Sequence, residues 1–249
     1  PNRVSRRRGW DNDVTQASKL EVINIAEQGA RLSQPFTMLD LAQIDDLMLS
    51  LFLCQGTLQT HRHVDQDELF LVQSGTISLE SEWGDVILRP HELAVVPKGV
   101  GHRSASLLPS LVLLLQPRVV VDQRNGDRRL FALKDENRLE KVSLAAIGRQ
   151  VVVPFSPVLV ANLDTFALLL TLCEGMGPWQ AHDRQADLIL CHDGRLTIET
   201  EGMGQASLGP GELAVIPSHV SYRLLSTGRA MVLGLKRHKQ PGLPLPDRA

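Results

Sequence analysis

The sequence predicts an all-β protein built of two tandem antiparallel barrels or sandwiches, with only short helices. Three observations carry that reading. The chain repeats itself once; both copies consist of short apolar or alternating runs cut by Gly, Pro and Asp at intervals of roughly 8 to 12 residues; and little of either copy looks helical. With 249 residues, 43% of them apolar and 22% charged, there is enough chain for two domains of about 100 to 120 residues.

The repeat fixes the organisation. "LEVINIAEQGARLSQPF" from Leu20 matches "LEKVSLAAIGRQVVVPF" from Leu139 at an offset of 119, pairing Gly29 with Gly148, Pro35 with Pro154 and Phe36 with Phe155. In the same register Asp45 falls on Asp164, "LCQG" on "LCEG" and Gly75 on Gly194. After one inserted residue, "HELAVVP" falls on "GELAVIP". A two-copy repeat of this length is too long for a solenoid unit and reads as duplicated domains. The expected layout is an Arg-rich arm (1–17), a first copy (18–117), a polar linker (118–137), a second copy (138–236) and a Pro-rich tail (237–249).

Within each copy, "LMLSLFL", "ELFLV", "TISLES" and "LAVVP" read as strands. "SLLPSLVLLLQPRVVV" reads as a buried strand cut by Pro109 and Pro117, too short for a membrane helix, which needs roughly 20 apolar residues. "LSQPFTMLDLA" and "DENRLEKVSLAAIG" are the candidate short helices. Cys54, Cys173 and Cys191 stand at no zinc-finger or CxxC spacing and read as buried, inert thiols, which fits a cytoplasmic setting. A net charge of −2 offers no general attraction to nucleic acid or an anionic membrane, so neither is an expected partner.

"GTLQTHRHVDQDELFLVQSG", residues 56–75, carries the chemistry. In a strand, His61 and His63 share a face; a turn at Gln66 and Asp67 leads to Glu68, and a hairpin would bring its carboxylate to the same face. After a tight turn through Pro97 and Gly99, His102 shares a face with Ser104 and Ser106. Three neutral imidazoles and a carboxylate suit a first-row divalent metal with open positions for water, substrate or oxygen.

These residues resemble the cupins, and the duplication makes the chain similar to the bicupins. Gly56, His61, His63, Glu68 and Gly75 meet the first motif, G-x5-H-x-H-x3-4-E-x6-G, with one residue fewer before the first histidine. Pro97, Gly99 and His102 meet the second motif, with His91 where a glycine is usual and Ser106 where an asparagine is usual. The resemblance implies two double-stranded β-helix, jelly-roll-like barrels, with one divalent metal (Fe, Mn, Ni or Zn) held in the first by His61, His63, Glu68 and His102.

In the second copy the same positions hold Gln180, His182, Asp187 and Tyr222. One imidazole survives, so a metal is not expected there. This copy is either a structural barrel or a polar pocket for a small organic ligand. For the first copy the resemblance implies a metal-dependent enzyme acting on a small oxygen-containing molecule, dioxygenase-like, with an isomerase or lyase, or a non-catalytic binding or sensing module, as alternatives. No residue is assigned a catalytic role. Exposed strand edges favour barrels packed on each other, as a monomer or a homodimer.

Overall fold

The computed structural model describes residues 19–118, 138–182 and 185–237; the Arg-rich arm, residues 119–137 of the expected linker and residues 238–249 of the expected tail lie outside them. The first copy contributes β1 (Ile23–Asn24), α1 (Ile25–Gly29), β2 (Met38–Ile44), β3 (Leu47–Thr57), β4 (Glu68–Ser74), β5 (Ile77–Ser81), β6 (Val86–Leu88), β7 (Glu92–Val96) and β8 (His102–Pro117). The second contributes β9 (Lys141–Ser143), α2 (Leu144–Gln150), β10 (Val158–Leu163), β11 (Phe166–Met176), β12 (Asp187–Asp193), β13 (Leu196–Thr200), β14 (Gly204–Leu208), β15 (Glu212–Ile216) and β16 (Tyr222–Arg237).

Two eight-stranded antiparallel sheets result. One runs β2-β3-β8-β4-β7-β9, with β5 on β8 and β6 on β5; the other repeats it as β10-β11-β16-β12-β15-β1, with β13 on β16 and β14 on β13. In the first, β8 closes the barrel by pairing β5 along its first half and β4 along its second. The strand turns between those duties where Cys54 faces Ser110 and Gly56 faces Ser106, so Leu107, Leu108 and Pro109 leave the ladder. A proline there forfeits no ladder bond. The apolar run is therefore a single strand passing through Pro109, buried only in part: Leu107 is 97% exposed, whereas Val112 to Leu115 are in the core.

Each copy lends its opening segment to the other. β1 pairs with β15 and β9 with β7; Leu20 is buried inside the second barrel and Leu139 inside the first. The exchange covers two sheet edges that would otherwise be open. A third core joins the barrels, with Leu49, Leu69, Leu71, Leu113 and Leu115 of one sheet packed in the same cluster as Leu168, Leu170, Leu188, Leu190 and Leu233 of the other. The period-2 alternation of each strand thus feeds two cores, one inside its barrel and one between the barrels.

The helices differ from expectation. "LSQPFTMLDLA" is a turn followed by β2, because Phe36 takes φ +59° and donates its N–H to the Leu53 carbonyl at 2.8 Å. Of "DENRLEKVSLAAIG", Lys141–Ser143 is a strand and the helix starts at Leu144, capped by the Ser143 hydroxyl, which accepts the Ala146 N–H at 3.3 Å. α1 is capped in the same way by Asn24, which accepts from Glu27 at 3.1 Å.

Candidate metal centre

The four residues proposed as ligands arrive from three places: the segment between β3 and β4, the start of β4, and the start of β8. The expected hairpin between the histidine strand and the glutamate strand does not form. β4 pairs with β7 and β8 instead, and residues 58–67 form a connection that docks on β8 through a two-way backbone pair, His61 N–H to the His102 carbonyl at 3.0 Å and His102 N–H to the His61 carbonyl at 2.9 Å. Directly opposed residues send their side chains to one face. The His61 and His102 rings are accordingly 4.5 Å apart, and His63 stands 5.1 Å from His61. A further bond, Gly99 N–H to the His63 carbonyl at 2.6 Å, pins the Pro97–Gly99 turn against the same connection.

The nitrogen on each ring that faces away from the cluster has a partner. His61 Nδ1 lies 3.0 Å from the Gln59 carbonyl and His102 Nδ1 lies 3.1 Å from the Val100 carbonyl. A carbonyl can only accept, so both rings carry their proton on Nδ1 and present an Nε2 lone pair. Gln66, which the sequence offered only as a turn residue, is buried and its amide reaches His63 Nδ1 at 3.2 Å. The amide nitrogen faces the ring; an NH2 only donates, so the amide orients His63 as placed and would fix the same tautomer only if turned to present its oxygen.

At the centre, the ligand atoms of His61, His63, Glu68 and His102 lie within 4.8 Å of one another. His63 Nε2 is 3.2 Å from Glu68 Oε1, and His102 Nε2 is 2.9 Å from Glu68 Oε2. Yet His63 Nε2, His102 Nε2 and Glu68 Oε2, all buried, make no hydrogen bond among the described residues. Buried polar atoms left so cost about 1–3 kcal/mol each, and the His102 Nε2 lone pair aimed at Glu68 Oε2 repels it. A divalent cation at their common focus removes both penalties, so the donor set fits such an ion. Burial lowers the His63 pKa, against the opposing pull of Glu68, and the neighbouring His61 and His102 lower it further. The neutral ligand form is thereby favoured.

Glu68 and His102 are nearly inaccessible, whereas 31% of the His63 side chain remains exposed. The open side of the cluster is the barrel mouth. Beneath it, Phe70 and Val72 point into the barrel core, and Phe70 meets His102 edge-on at 5.9 Å.

The second-copy residues keep the same backbone frame. Gln180 and Tyr222 form the matching two-way pair at 2.7 and 2.9 Å, and His219 donates to the His182 carbonyl at 2.9 Å. His182 Nδ1 hydrogen-bonds Asp187, and Gln180, His182, Asp187 and Tyr222 all line one cavity of about 150 Å³. Burial raises the Asp187 pKa, opposed by its contacts with His182 and Tyr222; burial and the neighbouring carboxylate hold the Tyr222 phenol protonated. The three cysteines are free and buried, their thiols pushed up by burial to about 11 for Cys54 and Cys191 and about 12 for Cys173.

No protein-family model matches the chain. It is 26% identical over 77 residues to the uncharacterized protein YdbB of Bacillus subtilis (strain 168), a stretch that covers 30% of this chain and 68% of that protein. Among solved structures it is similar to a cupin 2 conserved barrel domain protein from Leptotrichia buccalis, at TM-score 0.66 and 11% identity over 87% of this chain and 96% of the other. It is also similar to a salicylate 1,2-dioxygenase from Pseudaminobacter salicylatoxidans, at TM-score 0.63 and 11% identity over 88% and 84% of the two chains. The same enzyme's adducts with gentisate align at TM-score 0.65 and 12% identity, covering 88% and 81%. At these identities the likeness establishes the fold, which is the two-barrel cupin fold.

Proposed function

We propose that this two-barrel cupin is a metal-dependent oxygenase whose first barrel holds one divalent transition metal through His61, His63, Glu68 and His102 and acts on a small oxygen-bearing organic molecule. The observation that carries the reading is the convergence of these four groups within 4.8 Å while three of their buried atoms lack a hydrogen bond among the described residues. Such a metal, when bound, supplies Lewis acidity and redox chemistry at positions the protein leaves open.

The chain's own residues set the rest. The carbonyls of Gln59 and Val100 hold the His61 and His102 rings in the ligand tautomer, and the Gln66 amide orients the His63 ring. Phe52, Phe70 and Val72 fill the barrel below the cluster, so a substrate meets it from the mouth beside His61 and His63. The buried apolar floor excludes water from one side of the reaction. Fold likeness to a salicylate dioxygenase supports oxygenase chemistry over isomerisation and favours a hydroxylated or carboxylated ring as substrate.

Elemental analysis of the purified protein beside His102→Ala tests the ligand set, and oxygen uptake after anaerobic iron loading tests the reaction. About one metal per chain in the wild type and little in the variant is expected. Equal metal in both overturns the assignment. An iron-loaded protein that consumes no oxygen across a panel of hydroxybenzoates, catechols, enols and thiols overturns the oxygenase reading.

A further inference from the structure

The two barrel interiors are related position by position, and the differences between them are not random. Phe52 pairs with Val112 in the first barrel where Thr171 pairs with Val232 in the second, and Phe70 opposite Leu114 is replaced by Ile189 opposite Gly234. In the first barrel these three large side chains close the interior, Phe52 and Phe70 meeting edge-on at 6.4 Å with Leu114 in the same cluster. In the second, Thr171, Ile189 and Gly234 all line the 150 Å³ cavity. The copy that has lost the metal donors has exchanged Phe, Phe and Leu for Thr, Ile and Gly at the positions that decide whether the barrel is hollow. A barrel that served only as structural support would be expected to stay filled, because an internal void forfeits packing.

The polar groups of the cavity select what could fill it. Its one carboxylate among the described residues, Asp187, is already engaged by the His182 Nδ1–H and faces the Tyr222 hydroxyl. What remains for a ligand is mostly donors: the Gln180 amide, the far nitrogen of His182 when protonated, the Thr171 hydroxyl and the Lys236 ammonium, all from residues lining the cavity. Lys236 has Gln116 as its counterpart in the first barrel, each placed two residues beyond the Gly234 or Leu114 position, so the positive charge belongs to the second copy alone. Apolar walls come from Phe155, Leu224 and Val232.

We propose that the second barrel is a metal-free binding site for a small monocarboxylate, its apolar body no larger than a benzene ring and its carboxylate held by Gln180, His182 and Lys236. The size limit follows from the volume, since an apolar cavity of about 150 Å³ accepts benzene. Among the described lining residues His182 and Asp187 pair with each other, and Lys236 remains as the cation that suits one anion.

Calorimetric titration of the chelator-treated full chain with benzoate, with isobutyrate as a smaller carboxylate and benzyl alcohol as a neutral analogue carrying the same ring, tests this. Benzoate is expected to bind at about 1 mM or tighter, and benzyl alcohol at least about 10-fold more weakly. Gly234→Leu restores the residue of the first barrel and is expected to abolish binding; the nearest atom to a side chain there is the Leu188 carbonyl at 3.4 Å, so the added bulk grows into the cavity. Lys236→Met, at an exposed position that does not threaten folding, is expected to weaken benzoate about 5-fold and leave benzyl alcohol unchanged. The proposal is overturned if neither carboxylate binds, if benzyl alcohol binds as tightly as benzoate, or if binding is indifferent to both substitutions. It is also overturned if binding appears only when metal is restored, which would place the ligand in the first barrel.

Discussion

Asp164, in the turn between β10 and β11 of the second barrel, accepts the backbone N–H of Asp67 at 2.9 Å, and Asp67 accepts the Asp164 N–H in return at 2.9 Å. Asp67 immediately precedes Glu68. Its other carboxylate oxygen takes the N–H of Lys98, in the turn that leads to His102, at 2.9 Å. The second barrel thus grips both turns that present the buried half of the cluster. The duplicate does the reverse, Asp45 accepting the Ala186 N–H at 3.3 Å just before Asp187.

Asp164→Ala should therefore cost about 1–3 kcal/mol of stability and also weaken metal binding by about 10-fold, as loss of supporting hydrogen bonds does. Asp45→Ala should lower stability while leaving metal affinity intact. Metal titrations on the two variants compare them directly; equal affinity in both would show that the grip is purely structural.

Gln66→Leu keeps the buried volume near His63 but removes the group that orients its ring. Metal affinity should fall by about 10- to 100-fold, with a smaller effect on the fold. Chelation should lower the melting temperature of the wild type more than that of this variant, because a metal that binds only the folded state stabilises it by mass action. Thermal denaturation with and without chelator reads both effects.

His192 sits between the barrels, 4.7 Å from His91, and its pKa is pushed down to about 4 by burial first and by His91 second, with Asp193 opposing. The unfolded imidazole titrates near 6.5. Between these values the unfolded chain binds the extra proton, so stability is complete above about pH 6.5 and declines as pH falls toward 4, by up to about 3 kcal/mol from this group. Denaturant unfolding across that window should show a shallower decline in His192→Gln; identical slopes would remove His192 from the account.

His91 stands at φ +67°, and its counterpart Gly211 stands at φ +77°, each donating its N–H to a backbone carbonyl, that of Val72 in β4 and of Cys191 in β12 respectively, at 2.9 Å. A side chain there holds a left-handed backbone at a cost of about 1–2 kcal/mol. His91→Gly should be more stable than His91→Ala by about that amount. Both lose the contact with His192, so the difference in denaturation midpoint isolates the backbone.

Most of the fold was legible because its signals are local. Alternation in β3 and β4, turn residues at Pro97–Gly99 and Gly75, and the offset that lays Leu20 on Leu139 all follow from neighbours in the chain. The convergence of His61, His63, Glu68 and His102 was legible through the motif resemblance rather than through local pairing, since the hairpin expected to bring Glu68 to the histidines is absent. Two helices were misplaced because Phe36 and Lys141 answer to partners far away, Leu53 and Ala94, and short-range pattern carries no trace of such partners.

The sequence by itself determined an all-β duplicated chain, and that the histidines and glutamate of the first copy are mostly replaced in the second, since residue identity, repeat offset and period-2 alternation suffice for each. Only the tertiary structure decided which strands pair, that each copy lends β1 or β9 to the other, that Gln66 and Asp164 stand behind the cluster, and that the second barrel is hollow. Those are facts about what meets across space. A phenylalanine replaced by threonine becomes a cavity only when the residues opposite, such as Gly234, fail to fill the room it leaves.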